Sequence, residues 1–199
     1  MCGRYYVDDD TAREIEKIVQ NVEKSLKKEP VRGEIRPSAM APVVYQQEHY
    51  LTAGKMSWGF PRYQKNGLLI NARAETITER PTFRDSALHR RCVIPANHYY
   101  EWNTDREKVS FWRKDAPLLY MAGIYQLFQG QARFVVITTG ANDSVRHVHD
   151  RMPLILESDE LERWVTDDQA VDFILNKIPV RLEHQQEYRQ MTLDLSQDS

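Results

Sequence analysis

Cysteine is nearly absent from this chain of 199 residues, with only Cys2 and Cys92 present. Two thiols cannot build a disulfide framework or a cysteine zinc site, and their scarcity suits a reducing compartment. The cytoplasm is therefore the expected location. Long apolar runs are also missing, since none approaches the roughly 20 residues that a membrane-spanning helix needs. A secretory signal is not expected either, because Asp8, Asp9 and Asp10 stand where an apolar stretch would have to be. Nor does either charge predominate. The formal net charge is −2, so the whole chain is no electrostatic magnet for nucleic acid, and any such binding must rest on a local basic face. Internal repeats, low-complexity tracts and linkers are lacking as well. With a length suited to one sizeable core, that points to a single domain over residues 1–199.

What is present begins with Met1-Cys2-Gly3-Arg4. Removal of Met1 would leave Cys2 with a thiol and a free α-amine on adjacent carbons. Reference pKa values of about 8.5 for a thiol and about 7.7–8.0 for an α-amine make both nucleophilic forms accessible near neutral pH. Such an aminothiol can attack an acyl carbon with its own amine as base. It can also condense with an aldehyde, first to an imine and then to a five-membered thiazolidine. Taken alone, Cys2 is more simply an incidental residue of an unstructured start.

Arg4 to Val7 reads as a short strand, and Ile15, Ile18, Val19, Val22 and Leu26 follow the spacing of one amphipathic helix. Residues 30–42 form a turn-rich connector. A hairpin follows, Val43 to Tyr45 against Tyr50 to Trp58, and Trp58-Gly59-Phe60-Pro61 closes it. Trp58 is either core trim or a platform for a base. Leu68 to Glu75 reads as a strand with Asn71, Arg73 and Glu75 on one face and Ala72 and Ala74 on the other. A solvated strand end is the equal alternative.

A short helix is expected around Phe83 to His89, with His89-Arg90-Arg91 as its solvated end. In the strand Tyr99-Tyr100-Glu101-Trp102, Glu101 is wedged among aromatics, where desolvation would raise its pKa towards that of a proton shuttle. A glutamate on a wet strand face is the alternative. Strands over 117–123 and 133–139 lead to a loop, Thr138 to Asn142, whose hydroxyls and backbone could bind an anion. His147-Val148-His149-Asp150 lacks a second His or Cys cluster to complete a metal shell. His149 therefore fits acid/base or anion-stabilising work better than ligation. Two capped helices over 158–164 and 167–176 precede a polar, peripheral tail from His184.

Six stretches, taken in order, resemble the SRAP family of SOS-response-associated peptidase proteins. They are Met1 to Tyr5, Trp58 to Pro61, Asn71 to Thr76, Arg91 to Ala96, Tyr99 to Trp102 and His149 to Pro153. The resemblance weakens beyond about residue 156, and Asn97-His98 stands where the family often has Asp-Gly. It implies a β-rich, barrel-like α+β fold with peripheral helices and a positively charged groove for single-stranded DNA. It also implies that Cys2, freed of Met1, captures the ring-opened aldehyde of an abasic site as a thiazolidine, shielding the lesion. By the same resemblance Asn71 orients the terminus, Glu101 moves protons, and His149 assists sugar-ring opening. Arg4 and Arg73 would contact phosphates, Trp58 would pack near the DNA, and Thr138 would touch the backbone. The expected partner is thus abasic single-stranded DNA, bound by a monomer without metal, cofactor or membrane.

Other readings follow from the same residues. A thiol peptidase would expose its own Cys2; an amine would give lyase-like Schiff-base chemistry; a plain DNA-binding module would leave Cys2 incidental. Class II glutamine amidotransferases also begin Cys-Gly, but their His-x-Arg-x-(Ser/Thr/Ala) stretch and second catalytic domain are missing here.

Overall fold

Val43 and Val44, Val93 and Ile94, and Val135 and Val136 are adjacent pairs, all at most 1% exposed. Successive side chains of a strand point to opposite faces, so these strands have no wet side. The structure, a computed structural model that describes residues 2–63 and 66–187, covers both faces by closing a barrel. Gln131–Gly140 pairs antiparallel with Leu119–Phe128, which pairs with Arg91–Ala96, then Met40–Gln47, then Tyr50–Trp58. A parallel contact of Arg133 and Phe134 with Ser57 and Trp58 closes the five-stranded ring. The architecture is therefore the β-rich, barrel-like α+β one, with short helices outside. No helix among the described residues is long and apolar enough to cross a membrane.

Two cores share this wall. Inside, Val43, Met56, Trp58, Ile94, Met121, Phe134 and Val136 pack with Tyr5 and Tyr99. Outside, Val44, Ala53, Val93, Ala122 and Ile137 carry the helices through Ile15, Leu26, Ala87, Trp164 and Ile174. Burying one such side chain contributes about 1.5–3 kcal/mol, so a wall loaded on both faces dominates the stability. It is tight at Gly123, where a β-carbon would come within 2.9 Å of the Val135 carbonyl oxygen.

A second sheet packs on the barrel interior. Its order is Glu183–Glu187, Lys108–Trp112, His98–Trp102, Tyr5–Val7 and Gly33–Ile35, all antiparallel. The tail from His184 is thus a sheet strand as far as Glu187, and residues 188–199 lie outside the described residues. The connector over 30–42 likewise contributes the Gly33–Ile35 strand, and Thr138 to Gly140 stay in a strand, not a loop.

Two expected elements break in the structure. The single helix through Ile15 and Leu26 is instead Asp9–Ile18 and Lys24–Lys28, separated by the strand Asn21–Val22. Open backbone groups on Tyr50–Trp58 compete with the helix there: Gln20 N–H donates to the Leu51 carbonyl (3.0 Å) and Glu23 N–H to that of Ala53 (2.8 Å). β-Branched Val19 and Val22 lose little by the exchange. The strand over 68–75 becomes Leu68–Leu69 and Asn71–Arg73, and the chain then turns into a 3-10 helix at Ala74–Thr76. Asn71–Arg73 runs parallel to Val136–Thr138, and Arg151–Pro153 flanks the same strand on its other side, since Thr138 pairs with both Arg73 and Pro153. The ladder ends at Arg73, and the turn takes Glu75 off the face of Asn71 and Arg73.

The basic run ending in Arg91 is not a solvated helix end. Arg91 is 3% exposed. Its guanidinium donates to the carbonyls of Ala87 and Leu88 at the end of Pro81–His89, and to those of Trp164 (2.6 Å) and Val165 in Leu161–Thr166. One buried cation thereby satisfies the last carbonyls of two helices, where their dipoles favour positive charge. Its ion pair with Asp168 (2.7 Å) faces solvent, for Asp168 is 75% exposed. Arg91→Ala should therefore cost about 3 kcal/mol of stability in urea unfolding, the scale of a broken buried polar network. Asp168→Ala should cost less than about 1 kcal/mol.

Candidate active site

Strand pairing draws the first residues into the barrel interior. Tyr5 lies opposite Tyr99, and Tyr100 N–H donates to the Arg4 carbonyl (2.9 Å), extending the ladder upstream. Cys2 is wholly buried, and Asn71 Nδ2 donates to its carbonyl oxygen (2.9 Å). The thiol sits 4.0 Å from the Arg4 carbonyl. Burial, with the negative charge of Glu101 added, pushes the thiol pKa far above its ordinary value. A resting thiolate is thereby suppressed, and any reaction through sulfur must remove the proton as it proceeds.

Glu101 is 3% exposed, which rules out the wet strand face. Burial raises its pKa, against the opposing pull of His149. Tyr99, two residues earlier on the same face, is fully buried as well. Its hydroxyl pKa rises through burial and then through the charges of Cys2 and Glu101. Sequence reasoning had singled out Glu101 but not Tyr99, although the two-residue spacing carried the signal.

His149 approaches from the turn between Gln131–Gly140 and Arg151–Pro153. Its ring is 28% exposed, marking the partly open side of the site. Nδ1 accepts the Arg151 N–H (2.9 Å), with an Asp150 carboxylate oxygen 2.8 Å away. Among the described residues, no group of three or more His, Cys, Asp and Glu side chains could hold a metal ion.

The four expected reactive residues thus converge, while the expected DNA contacts divide. Arg73 is exposed at the end of the Asn71–Arg73 strand. Arg4 is partly exposed, 4.9 Å over the Trp102 ring and 3.5 Å from Glu34. Trp58, by contrast, is fully buried: Nε1 donates to the Ile70 carbonyl (2.9 Å) and the ring stacks on Phe134. It is core trim and offers a ligand no face. Thr138 is fully buried too, and its carbonyl accepts a 2.6 Å bond from Arg151. The partly exposed aromatic here is Trp102, which strand alternation places on the opposite face from Glu101. Arg151 also grips Glu75 with two bonds (2.6 and 2.9 Å), lowering the Glu75 pKa.

Comparison with known proteins gives this constellation a family. The curated relative named abasic site processing protein YoqW, from Bacillus subtilis (strain 168), is 31% identical over 185 residues, covering 83% of this chain and 80% of the relative. Abasic site processing protein YoaM from the same organism is 38% identical over 126 residues, and the match spans only 56% of either protein. Crystal structures of proteins from Bacteroides thetaiotaomicron and Bordetella bronchiseptica share the fold, each with a TM-score of 0.76 at 21% identity. They cover 93% and 94% of this chain, and 91% and 100% of their own. The family model for SOS response associated peptidase (SRAP) proteins matches residues 1–192, and the chain belongs to that family.

Proposed function

We propose that this protein captures the aldehyde of an abasic site in single-stranded DNA, forming a thiazolidine on Cys2 once Met1 is removed. The observation that carries the reading is the convergence of Cys2, Asn71, Glu101 and His149 in one partly open site. The names of the curated relatives, abasic site processing proteins, support the choice of substrate.

The proton balance closes within the site. The Cys2 amine adds to the aldehyde carbon, giving a carbinolamine. Glu101 in its protonated form, which burial favours, gives its proton to the departing hydroxyl, and water leaves an iminium ion. The resulting carboxylate takes the thiol proton as sulfur attacks the iminium carbon, closing the ring. One water is released, nothing is oxidised, and Glu101 returns to its starting form. A thiol held neutral until this step is protected from stray oxidation. The bond from Asn71 to the Cys2 carbonyl fixes the terminus, which reduces the entropy lost on reaching the reactive geometry. His149 takes the proton of the anomeric C1′ hydroxyl and returns it to the ring oxygen, which becomes the C4′ hydroxyl as its bond to C1′ breaks, while Arg4 and Arg73 hold the flanking phosphates.

Uracil-containing single-stranded oligonucleotide treated with uracil glycosylase tests the reading on a denaturing gel. Wild-type protein of the mass lacking Met1 should give a shifted band, and Cys2→Ala none. No band, or one that survives in Cys2→Ala, sinks the proposal; an adduct trapped only by borohydride indicates lyase-like chemistry through the amine.

Binding should weaken as salt rises, and Arg73→Ala should reduce the slope of log affinity against log salt by about 0.7. An unchanged slope would remove Arg73 from the phosphate contacts. The raised pKa of Glu101 also has a stability signature. A carboxyl raised on folding contributes stability that is present below the unfolded carboxyl range, about 4.3, and lost as pH climbs through the folded value. Glu101→Gln cannot ionise, so its stability relative to wild type should improve from pH 4 to pH 8 in urea unfolding. A constant difference would contradict the burial-driven shift.

A further inference from the structure

The turn that ends in His149 is held from outside the reactive cluster. Asn142, near its start, uses all four hydrogen-bonding positions of its amide. Nδ2 donates to the carbonyls of Pro179 (2.9 Å) and Val180 (3.0 Å), and Oδ1 accepts from the Ser144 N–H (3.0 Å) and hydroxyl (2.6 Å). The Ser144 hydroxyl oxygen in turn accepts the Leu182 N–H (3.0 Å). The Asn142 carbonyl accepts the N–H groups of Val145 (3.0 Å) and Arg146 (2.9 Å), and the Val145 carbonyl accepts that of His149 (3.1 Å). An unbroken run of bonds therefore links residues 179–182 to the His149 backbone.

The other end of this segment joins the sheet of Glu101, two strands away. Beyond Leu182 the chain becomes the strand Glu183–Glu187, in which Gln186 lies opposite Val109, and Val109 lies opposite Glu101. The His184 ring packs 4.5 Å from His147 and 5.9 Å from Phe111, adding a side-chain contact between the turn and that sheet. Residues 179–187 are a strap across the two structural units that supply the proposed acid/base pair. Without the Asn142 amide, residues 179–182 lose the bonds from Nδ2 and the bridge through Ser144.

We propose that Asn142 is a positioning residue, setting His149 against Glu101 through the strap of residues 179–187. The inference rests on the proposed function only for the use to which His149 is put. A displacement of about 1 Å at a reacting group can cost about 100-fold in rate, so a turn held at one end by a single amide is a sensitive place.

The first test needs no DNA. The His149 ring is titrated by NMR in the whole chain lacking Met1, in wild type, Asn142→Ala and Ser144→Ala. The second variant keeps the amide and loses one bridge, so it serves if Asn142→Ala does not fold. Both neutral changes should displace the His149 midpoint and leave that of the exposed His49 in place. A His149 midpoint unchanged in the folded variants overturns the inference. The second test measures adduct formation at saturating abasic single-stranded DNA. Asn142→Ala should slow it about tenfold with DNA affinity unchanged, and should add no further loss to His149→Ala. Independent, additive losses would overturn the inference. A displaced His149 titration alongside no adduct in wild type would refute covalent capture and still support the positioning role.

Discussion

Placing a thiol and a carboxyl together in an apolar interior is the constraint on which this structure turns. Either group would be costly to charge there, and charging both would be worse. The mutual effect is visible at Cys2, whose pKa rises through burial and through Glu101. A pair so arranged favours sharing protons over holding charge, which suits a condensation that moves one proton out and another back. The remaining architecture serves the enclosure. A closed barrel supplies the apolar walls, and a second sheet brings the amino-terminal strand against the strand of Glu101.

Enclosure alone would not give access to a macromolecule. The site therefore has one partly open side, at His149, and polar groups outside it that are already committed. Arg151 is tied to Glu75 and Thr138, while Arg73 stands exposed nearby in the ladder. The distinction matters when reading arginines as phosphate contacts. A cation held by a bidentate carboxylate is less available than one facing water, whatever its distance from the reacting atoms.

The members of the proposed site were legible in the sequence because they sit in short stretches of recognisable type: Cys2, Asn71, Glu101, His149. The strands were largely legible too, since alternation and turn residues are local. What was lost depended on partners distant in sequence. An aromatic before Gly and Pro reads alike as platform or core, and Phe134 decided the matter for Trp58. Apolar spacing around Val19 is helical by period, but backbone groups at Leu51 and Ala53 broke the helix. Arg91 looked solvated because nothing near it announces the two helix ends it satisfies. Tyr99 was overlooked for a different reason: its position followed from alternation, but its closeness to Cys2 did not.

The pairing of Tyr5 with Tyr99, and of Trp58 with Phe134, also has a kinetic consequence. Both contacts join stretches far apart along the chain, and such non-local pairings must overcome loop-closure entropy before they return any stability. The enclosure around Cys2 therefore forms only once these distant stretches have met. Until Tyr99 and Glu101 are synthesised and docked, the thiol titrates like that of an ordinary peptide and meets any electrophile in solution. Native topology thus determines when the thiol becomes shielded as well as where it sits.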